Sequence, residues 1–299
     1  MKDCDYLLVK DKAFFHKLYA FIILTRPNIC ILGFTGVYFG YWLGIHQVDF
    51  LNSTCLIGAL IAMLAVAFGN IINDVLDYDN DLIIYPSRPI PSQKITQKEG
   101  ALFAGIIMCL TMLLSCVFHS AVFILVLLGL SLLIIYDLWV KKLPFFGNLV
   151  VAILSLLPIQ IGNTIAGKGS LPIPFTVALL MYILAREIFN TIYDGPGDLA
   201  AGRYSVFICF GKKTTQIFSL VIGSIGALLL LFYPIFGYVR HILAYQANII
   251  LVLILLGIVS FLVFFSPDHK FLKPQYKVLL TYLMRSIFIV SCISFVWTI

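Results

Sequence analysis

Charge is what this chain has least of. Only 11% of its 299 residues are charged and 61% are hydrophobic, whereas soluble domains carry about 25% charged residues. A soluble fold of this length could not cover so much apolar surface, so part of its solvent is lipid. Cysteine pairs are missing as well. Cys4, Cys30, Cys55, Cys109, Cys116, Cys209 and Cys292 are scattered without a CxxC spacing. That argues against a disulfide scaffold or a zinc site and reads them as small apolar helix residues. His16, His46, His119, His241 and His269 are dispersed and match no metal-ligand spacing. There is no GxGxxG or Walker-type loop to cradle nucleotide phosphates. Neither a low-complexity linker nor a separate soluble stretch interrupts the chain.

What is present is a succession of long apolar runs. One span needs roughly 20 apolar residues, and runs of that size lie at about 28–45, 51–76, 99–118, 120–139, 146–167, 172–193, 213–237, 245–265 and 277–298. They predict an all-α, polytopic membrane protein of about nine transmembrane helices. The runs are too long and too uniformly apolar for barrel strands, which alternate in period two. In lipid, a helical bundle also satisfies every backbone polar group within each span. Residues 1–17 are charged and polar, so we expect a polar N-terminal tail, not a cleaved signal peptide. The whole of 1–299 is expected to form a single transmembrane domain.

Charge placement tests the span count. With the N-terminus inside, seventeen of the 20 Lys and Arg residues fall on one side, among them Lys2, Lys17, Arg26, Arg88, Lys98, Lys141, Arg186, Arg203 and Lys213. Only Lys168 and Arg240 fall on the other, and Arg285 lies within the last run. This is the positive-inside bias, and it places the N-terminus on the cytoplasmic side. The net charge of +6 is then accounted for by a basic face toward anionic lipid or a diphosphate, and no nucleic-acid partner is expected.

Half of the 14 acidic residues sit in two short segments, both ending on that same side. The first runs Gly69-Asn70-Ile71-Ile72-Asn73-Asp74-Val75-Leu76-Asp77-Tyr78-Asp79-Asn80-Asp81. At about 100° per residue, Asn70, Asn73, Asp74, Asp77 and Asp81 share one helix face and Asp79 takes the opposite one. Carboxylates this close repel one another unless something positive lies among them. They also crowd the unfavourable, C-terminal end of the helix dipole. A hard divalent cation is the natural counter-charge, and magnesium is commonly shared between a few carboxylates and substrate phosphates.

The second segment holds Glu187, Asn190 and Asp194 on one face. Gly195-Pro196-Gly197 is expected to break the helix there, leaving Asp198 on a loop. Between the clusters, Pro86, Pro89 and Pro91 stiffen a loop that carries Arg88, a guanidinium suited to phosphate oxygens. Tyr136, Lys141 and Lys142 end the fourth span on the same side.

These residues resemble the UbiA superfamily of intramembrane prenyltransferases. Its NDxxDxxxD motif is present as Asn73, Asp74, Asp77 and Asp81. Its RPIPSG stretch is nearly complete as Arg88-Pro89-Ile90-Pro91-Ser92-Gln93. Tyr136, Lys141, Gly147 and Asn148 resemble its YxxxxK…GN stretch, and Arg26-Pro27 also fits. Arg186, Glu187, Asp194, Gly197 and Asp198 resemble the second motif of the branch that makes archaeal-type ether lipids. The likeness runs from about residue 25 to 215 in the family's order, and beyond that only hydropathy matches. Departures concentrate near the motifs. Ile84 and Tyr85 stand where an Asn and a basic residue are usual, Thr191 replaces an acid, Tyr204 a lysine and Phe207 a proline.

The resemblance implies nine helices around a central cavity, with the motif loops as cytoplasmic caps. It implies Mg2+ held by Asp74, Asp77, Asp81, Asp194 and Asp198, with Asn73 in the catalytic set. The diphosphate contacts would fall to Asn70, Arg88, Tyr136, Lys141 and Arg203. The substrates implied are a polyprenyl diphosphate, geranylgeranyl in the ether-lipid branch, and a hydrophobic acceptor drawn from membrane lipid. That acceptor is a geranylgeranylglyceryl phosphate-like lipid or an aromatic quinone precursor. The expected location is a prokaryotic plasma membrane. Two other readings stay open at this point. Tyr85, Tyr204 and Phe207 could steer a cyclising cation in a UbiA-type terpene cyclase with no second substrate. Alternatively, the acids could couple ions in a transporter, although such sites usually lie near the midplane.

Overall fold

The computed structural model describes residues 15–46, 51–200 and 202–232, with a few isolated positions between 243 and 257. Every regular element among them is a helix. In order these are α1 (Phe15–Leu24), α2 (Pro27–Ile45), α3 (Ser53–Leu76), α4 (Tyr78–Ile84), α5 (Gln97–Ser115) and α6 (Ser120–Leu138). A 3-10 turn follows at Val140–Lys142, then α7 (Phe146–Ile165), α8 (Ile173–Ala200) and α9 (Val206–Leu231). Seven of them, α2, α3 and α5 to α9, are long and apolar enough to cross a bilayer. Each corresponds to one of the first seven expected spans. Of the two expected after residue 245, the first is described only at isolated positions and the second lies outside the described residues.

The pattern of burial is that of a protein dissolved in lipid. On α5, Leu102, Ile106, Leu110 and Leu113 are exposed at helical spacing, while Gly100, Ala104, Ile107 and Thr111 are buried. A water-facing helix would reverse that arrangement. The large apolar side chains meet the acyl chains, and the small ones let neighbouring helices approach.

Residues up to 38 together with 49–138 form one compact unit, and 39–48 with the residues from 139 onward form another. In the first, α3 packs against α4, α5 and α6. Leu133 of α6 lies close enough to Gly69 that a Cβ there would stand 2.9 Å from it. Helix α1 lies within the stretch read as a polar tail and just after it. It is too short to cross, and Phe21 meets Phe103 of α5 edge-on at 5.0 Å. In the second unit, α8 packs on α7 and α9. Gly40 lets α2 press onto the Ile159 carbonyl, where any side chain would collide with backbone. Ser219 of α9 donates to the Ala185 carbonyl at 2.7 Å.

Two expectations about the motif segments need correction. Gly195-Pro196-Gly197 does not break the sixth helix, because α8 runs on to Ala200, although its membrane-crossing stretch ends at Gly195. Its stop is made by Gly202 at φ 64°. The Gly202 N–H donates to the Leu199 carbonyl at 3.2 Å and the Arg203 N–H to the Asp198 carbonyl at 2.8 Å. That is the Schellman pattern, in which a left-handed glycine closes the last turn. A proline forfeits its own N–H bond and crowds the carbonyl one turn back, which kinks a helix without always ending it. Asp198 therefore lies in the last helical turn and not on a loop. The first motif is likewise not one unbroken helix. Asp77 (φ −92°, ψ 12°) caps α3 and precedes α4. Register survives the joint, since the Asp77 N–H reaches the Asn73 carbonyl at 2.9 Å and the Asp81 N–H the Asp77 carbonyl at 2.8 Å.

Candidate active site

The acid stripe has the polarity that helical spacing predicts. Asp74, Asp77 and Asp81 are 2%, 6% and 4% exposed, while Asp79 on the opposite face is exposed. Arg88 donates to Asp81 at 2.5 Å and to Asp74 at 3.3 Å. Arg26 forms a second ion pair with Asp74. Burial in a low-dielectric setting makes such pairs strong only when both partners stay in place.

Local folding explains how the guanidiniums come to be there. Arg88 begins a loop whose shape is set by Ile90 and Ile95, both fully buried. Ile90 reaches Gly100 of α5, where a Cβ would stand 2.9 Å from its Cδ1 and 3.0 Å from Val75 of α3. The Lys94 and Ile95 N–H groups both donate to the Pro89 carbonyl, at 3.0 and 3.2 Å. Gln93 closes the loop at φ 60°, a left-handed conformation that a glycine adopts without strain. The RPIPSG pattern places its glycine at this position. Here Gln93 holds it instead, its Nε2 donating to the Tyr78 hydroxyl at 3.0 Å. Arg26 sits at the corner between α1 and α2 with φ 53°. Asn70 Nδ2 donates to the adjacent Thr25 carbonyl at 2.9 Å. Asn70, expected at the diphosphate, thus ties down the turn that carries Arg26.

Two participants were not singled out as site residues from the sequence. Arg26 was visible only as the arginine before a proline that opens a span. Asp137 had a weaker signal, an acid next to Tyr136 at the end of an apolar run. It is 4% exposed and accepts from Asn73 Nδ2 at 2.8 Å. The same Nδ2 lies 3.3 Å from Asp77 Oδ2. Asp74, Asp77, Asp81 and Asp137 with Arg26 and Arg88 make four carboxylates to two guanidiniums. Within that group two negative charges are in excess, the charge of one divalent ion.

The donor set suits magnesium. It consists of hard carboxylate oxygens, and Arg26 and Arg88 place positive charge where those oxygens gather, as a bound cation would. Among the described residues no three acidic, His or Cys side chains already converge as a closed metal cage does. An ion shared between protein carboxylates, waters and substrate phosphates does not require one.

The remaining expected residues are distributed as follows. Tyr136 is half-buried near the end of α6 in the first unit. Lys141 is half-buried in the 3-10 turn of the second unit, beside the backbone of Gly147. Asp194 and Asp198, half-buried, occupy one face of α8, and Arg203 follows its closing turn. Thr191 donates to the Ile188 carbonyl at 2.7 Å, so its hydroxyl serves its own helix. Glu187 pairs with Arg186 at 2.5 Å.

The aromatic departures have other work than lining a cation path. The Arg88 guanidinium carbon stands 4.0 Å from the centroid of the Tyr85 ring. Phe207 lies against Gly195, where a Cβ would overlap its ring. Tyr204 is 65% exposed.

Comparison with known proteins matches residues 33–282 to the UbiA prenyltransferase family. The digeranylgeranylglyceryl phosphate synthase of Methanosphaera stadtmanae is 32% identical over 235 residues, covering 78% of this chain and 85% of its own. That of Methanocaldococcus jannaschii is 31% identical, covering 75% of this chain and 80% of its own. A solved structure described as digeranylgeranylglyceryl phosphate synthase in membranes superposes with TM-score 0.72 at 26% identity, covering 94% of this chain and 97% of that one. A UbiA homologue from Archaeoglobus fulgidus, bound to GPP and Mg2+, shares the fold with TM-score 0.71 at 18% identity, covering 91% of this chain and 99% of that one. With its motifs, spans and relatives in agreement, the chain belongs to the UbiA prenyltransferase family, as an all-helical, multi-pass prenyltransferase of the membrane.

Proposed function

We propose that the protein transfers a geranylgeranyl group from its diphosphate to the free hydroxyl of a geranylgeranylglyceryl phosphate lipid. The single observation that carries the reading is the buried stripe Asp74, Asp77 and Asp81, bridged by Arg88. The relatives' names supply the acceptor. Residues 1–299 would act as a single transmembrane catalytic domain, with Asp194, Asp198, Arg203, Lys141 and Tyr136 completing the site. A bound Mg2+ would supply charge neutralisation of the leaving diphosphate. Asp74, Asp77, Asp81, Asp194 and Asp198 would hold it.

In the reaction the allylic C–O bond breaks and its electron pair leaves with the diphosphate. The acceptor's hydroxyl oxygen bonds to that carbon and loses its proton. Arg88 and Lys141 stabilise the charge that develops on the leaving group. The apolar surroundings keep water from capturing the allylic carbon.

The test is incubation of purified protein in detergent with geranylgeranyl diphosphate and Mg2+, with and without geranylgeranylglyceryl phosphate. Diphosphate release and a doubly prenylated lipid only when acceptor is present are the expected outcome. Cyclic hydrocarbon without acceptor would sink the reading. Tyr85→Phe should leave KM for the diphosphate unchanged, because the ring face beneath Arg88 remains. Tyr85→Ala should raise it several-fold, the scale of about 0.5–2 kcal/mol for a cation over an aromatic ring.

The motif loops and the N-terminus would face the cytoplasm, with the basic residues. Both Lys94 and Lys213 are exposed. Cysteines substituted at these two positions should react with an impermeant thiol reagent from the same side, and labelling from opposite sides would overturn the topology.

A further inference from the structure

We infer that Asp137 is a positioning residue for the metal-binding face. This rests on the Mg2+ reading above, and the family's YxxxxK stretch, which begins at Tyr136, leaves the position of Asp137 unspecified. Asp137 stands on α6, buried, one residue beyond Tyr136. An isolated carboxylate at a span end would have little reason to stay buried, since desolvation penalises the charged form. One partner is the Asn73 amide nitrogen at 2.8 Å, the same nitrogen that stands 3.3 Å from Asp77 Oδ2.

This arrangement settles which way the amide faces. An amide nitrogen donates and a carboxylate only accepts, so two carboxylates on one side of Asn73 hold its NH2 there. The Asn73 carbonyl oxygen is thereby directed away from both. That leaves a hard oxygen donor with a fixed direction on the stripe that carries Asp74, Asp77 and Asp81. With Asp137 removed, the amide has one acceptor in place of two, and it can rotate to present either end. Asp77 would then lose the orientation imposed through Asn73. Outer-shell carboxylates act on metal ligands in this manner, and their loss typically weakens metal affinity about 10–100-fold. The hydrogen bond also ties α6 to α3, so a purely structural role must be distinguished from a positioning one.

The experiment uses the full-length protein in detergent and reads Mn2+ affinity from the EPR signal of the free ion, with thermal unfolding measured in parallel. Asp137→Ala should bind Mn2+ roughly tenfold more weakly and raise the Mg2+ concentration needed for half-maximal turnover by a similar factor. At saturating Mg2+ its KM for the prenyl diphosphate should be near wild type. Asp137→Asn, whose side-chain oxygen still accepts from Asn73, should recover most of the lost Mn2+ affinity. If Asp137→Ala lowers the unfolding temperature but binds Mn2+ as wild type does, Asp137 only ties helices together and the inference fails. The inference also fails if Asp137→Asn is as impaired as Asp137→Ala, since the hydrogen bond would not be what matters. A wild-type protein that binds no Mn2+ would instead overturn the metal reading itself, and this inference with it.

Discussion

Asp77→Ala should lower turnover by a hundredfold or more while the protein remains folded, and Asp79→Ala should keep most of it. The two residues are neighbours in sequence and chemically identical, so the contrast isolates geometry. Asp77 is buried at the joint of α3 and α4, within reach of Asn73. Asp79 points to the opposite face and is exposed. Losing a preorganised group that stabilises developing charge in a water-poor site typically costs about 10²–10³ in rate. An exposed acid that touches nothing in the reaction should cost little. The measurement is steady-state prenyl transfer at saturating Mg2+, with thermal unfolding of each variant as a folding control. Equal sensitivity at the two positions would rule out the single-stripe arrangement. Asp77 is the better probe than Asp74, because Asp74 also pairs with Arg26 and Arg88, and its removal would leave both guanidiniums short of a partner.

Arg88→Lys should be nearly as inactive as Arg88→Met, with turnover down on the order of a hundredfold for the methionine. Arg88 spans two carboxylates, at 2.5 and 3.3 Å, while its guanidinium faces the Tyr85 ring. A planar guanidinium can serve all three partners together, whereas an ammonium is a single point of charge. Stability supplies a second readout. Taking away one member of a buried ion pair costs about 3–5 kcal/mol, chiefly because the other is left buried and charged. Here that figure is an upper bound, since the Arg88 side chain is 26% exposed and Arg26 still faces Asp74. The double variant Arg88→Met with Asp81→Asn removes the stranded charge. It should therefore unfold at a higher temperature than Arg88→Met alone, although both are inactive. With Asp81→Asn measured alone to complete the cycle, a double variant whose loss equals the sum of the two single losses would show that Arg88 and Asp81 are not energetically coupled.

The placement of Arg88 also changes how the departures from the family pattern are understood. The tyrosine at 85 stands where the family pattern that the sequence resembles has a basic residue, which suggests a weaker grip on the diphosphate. In the structure its ring instead meets the guanidinium of Arg88, so a lost charge is replaced by support for the charge that remains. Phe207 in place of proline is matched by Gly195, whose missing side chain makes room for the ring. Thr191 in place of an acid satisfies its own helix. None of these three contacts calls for a cyclising cation.

Composition and periodicity alone established the solvent, the first seven spans and the face of the acid stripe. Each of these depends on composition or on a fixed period. A run of about 20 apolar residues has no stable place outside lipid or a deep core, and 100° per residue separates Asp79 from Asp77 wherever the helix is put. Tertiary structure decided where helices stop and what the acids touch. The end of α8 is set by Gly202, whose N–H and that of Arg203 reach back to the Leu199 and Asp198 carbonyls, so the local proline signal at Pro196 does not mark the helix end. Arg26, from the α1–α2 corner, and Asp137, from α6, are brought to α3 from 48 and 64 residues away. No local pattern encodes which cation faces Asp74 or which acid holds Asn73. Those partnerships follow from the packing of α6 on α3 and from the α1–α2 corner, fixed by Asn70, that presents Arg26 to the same helix.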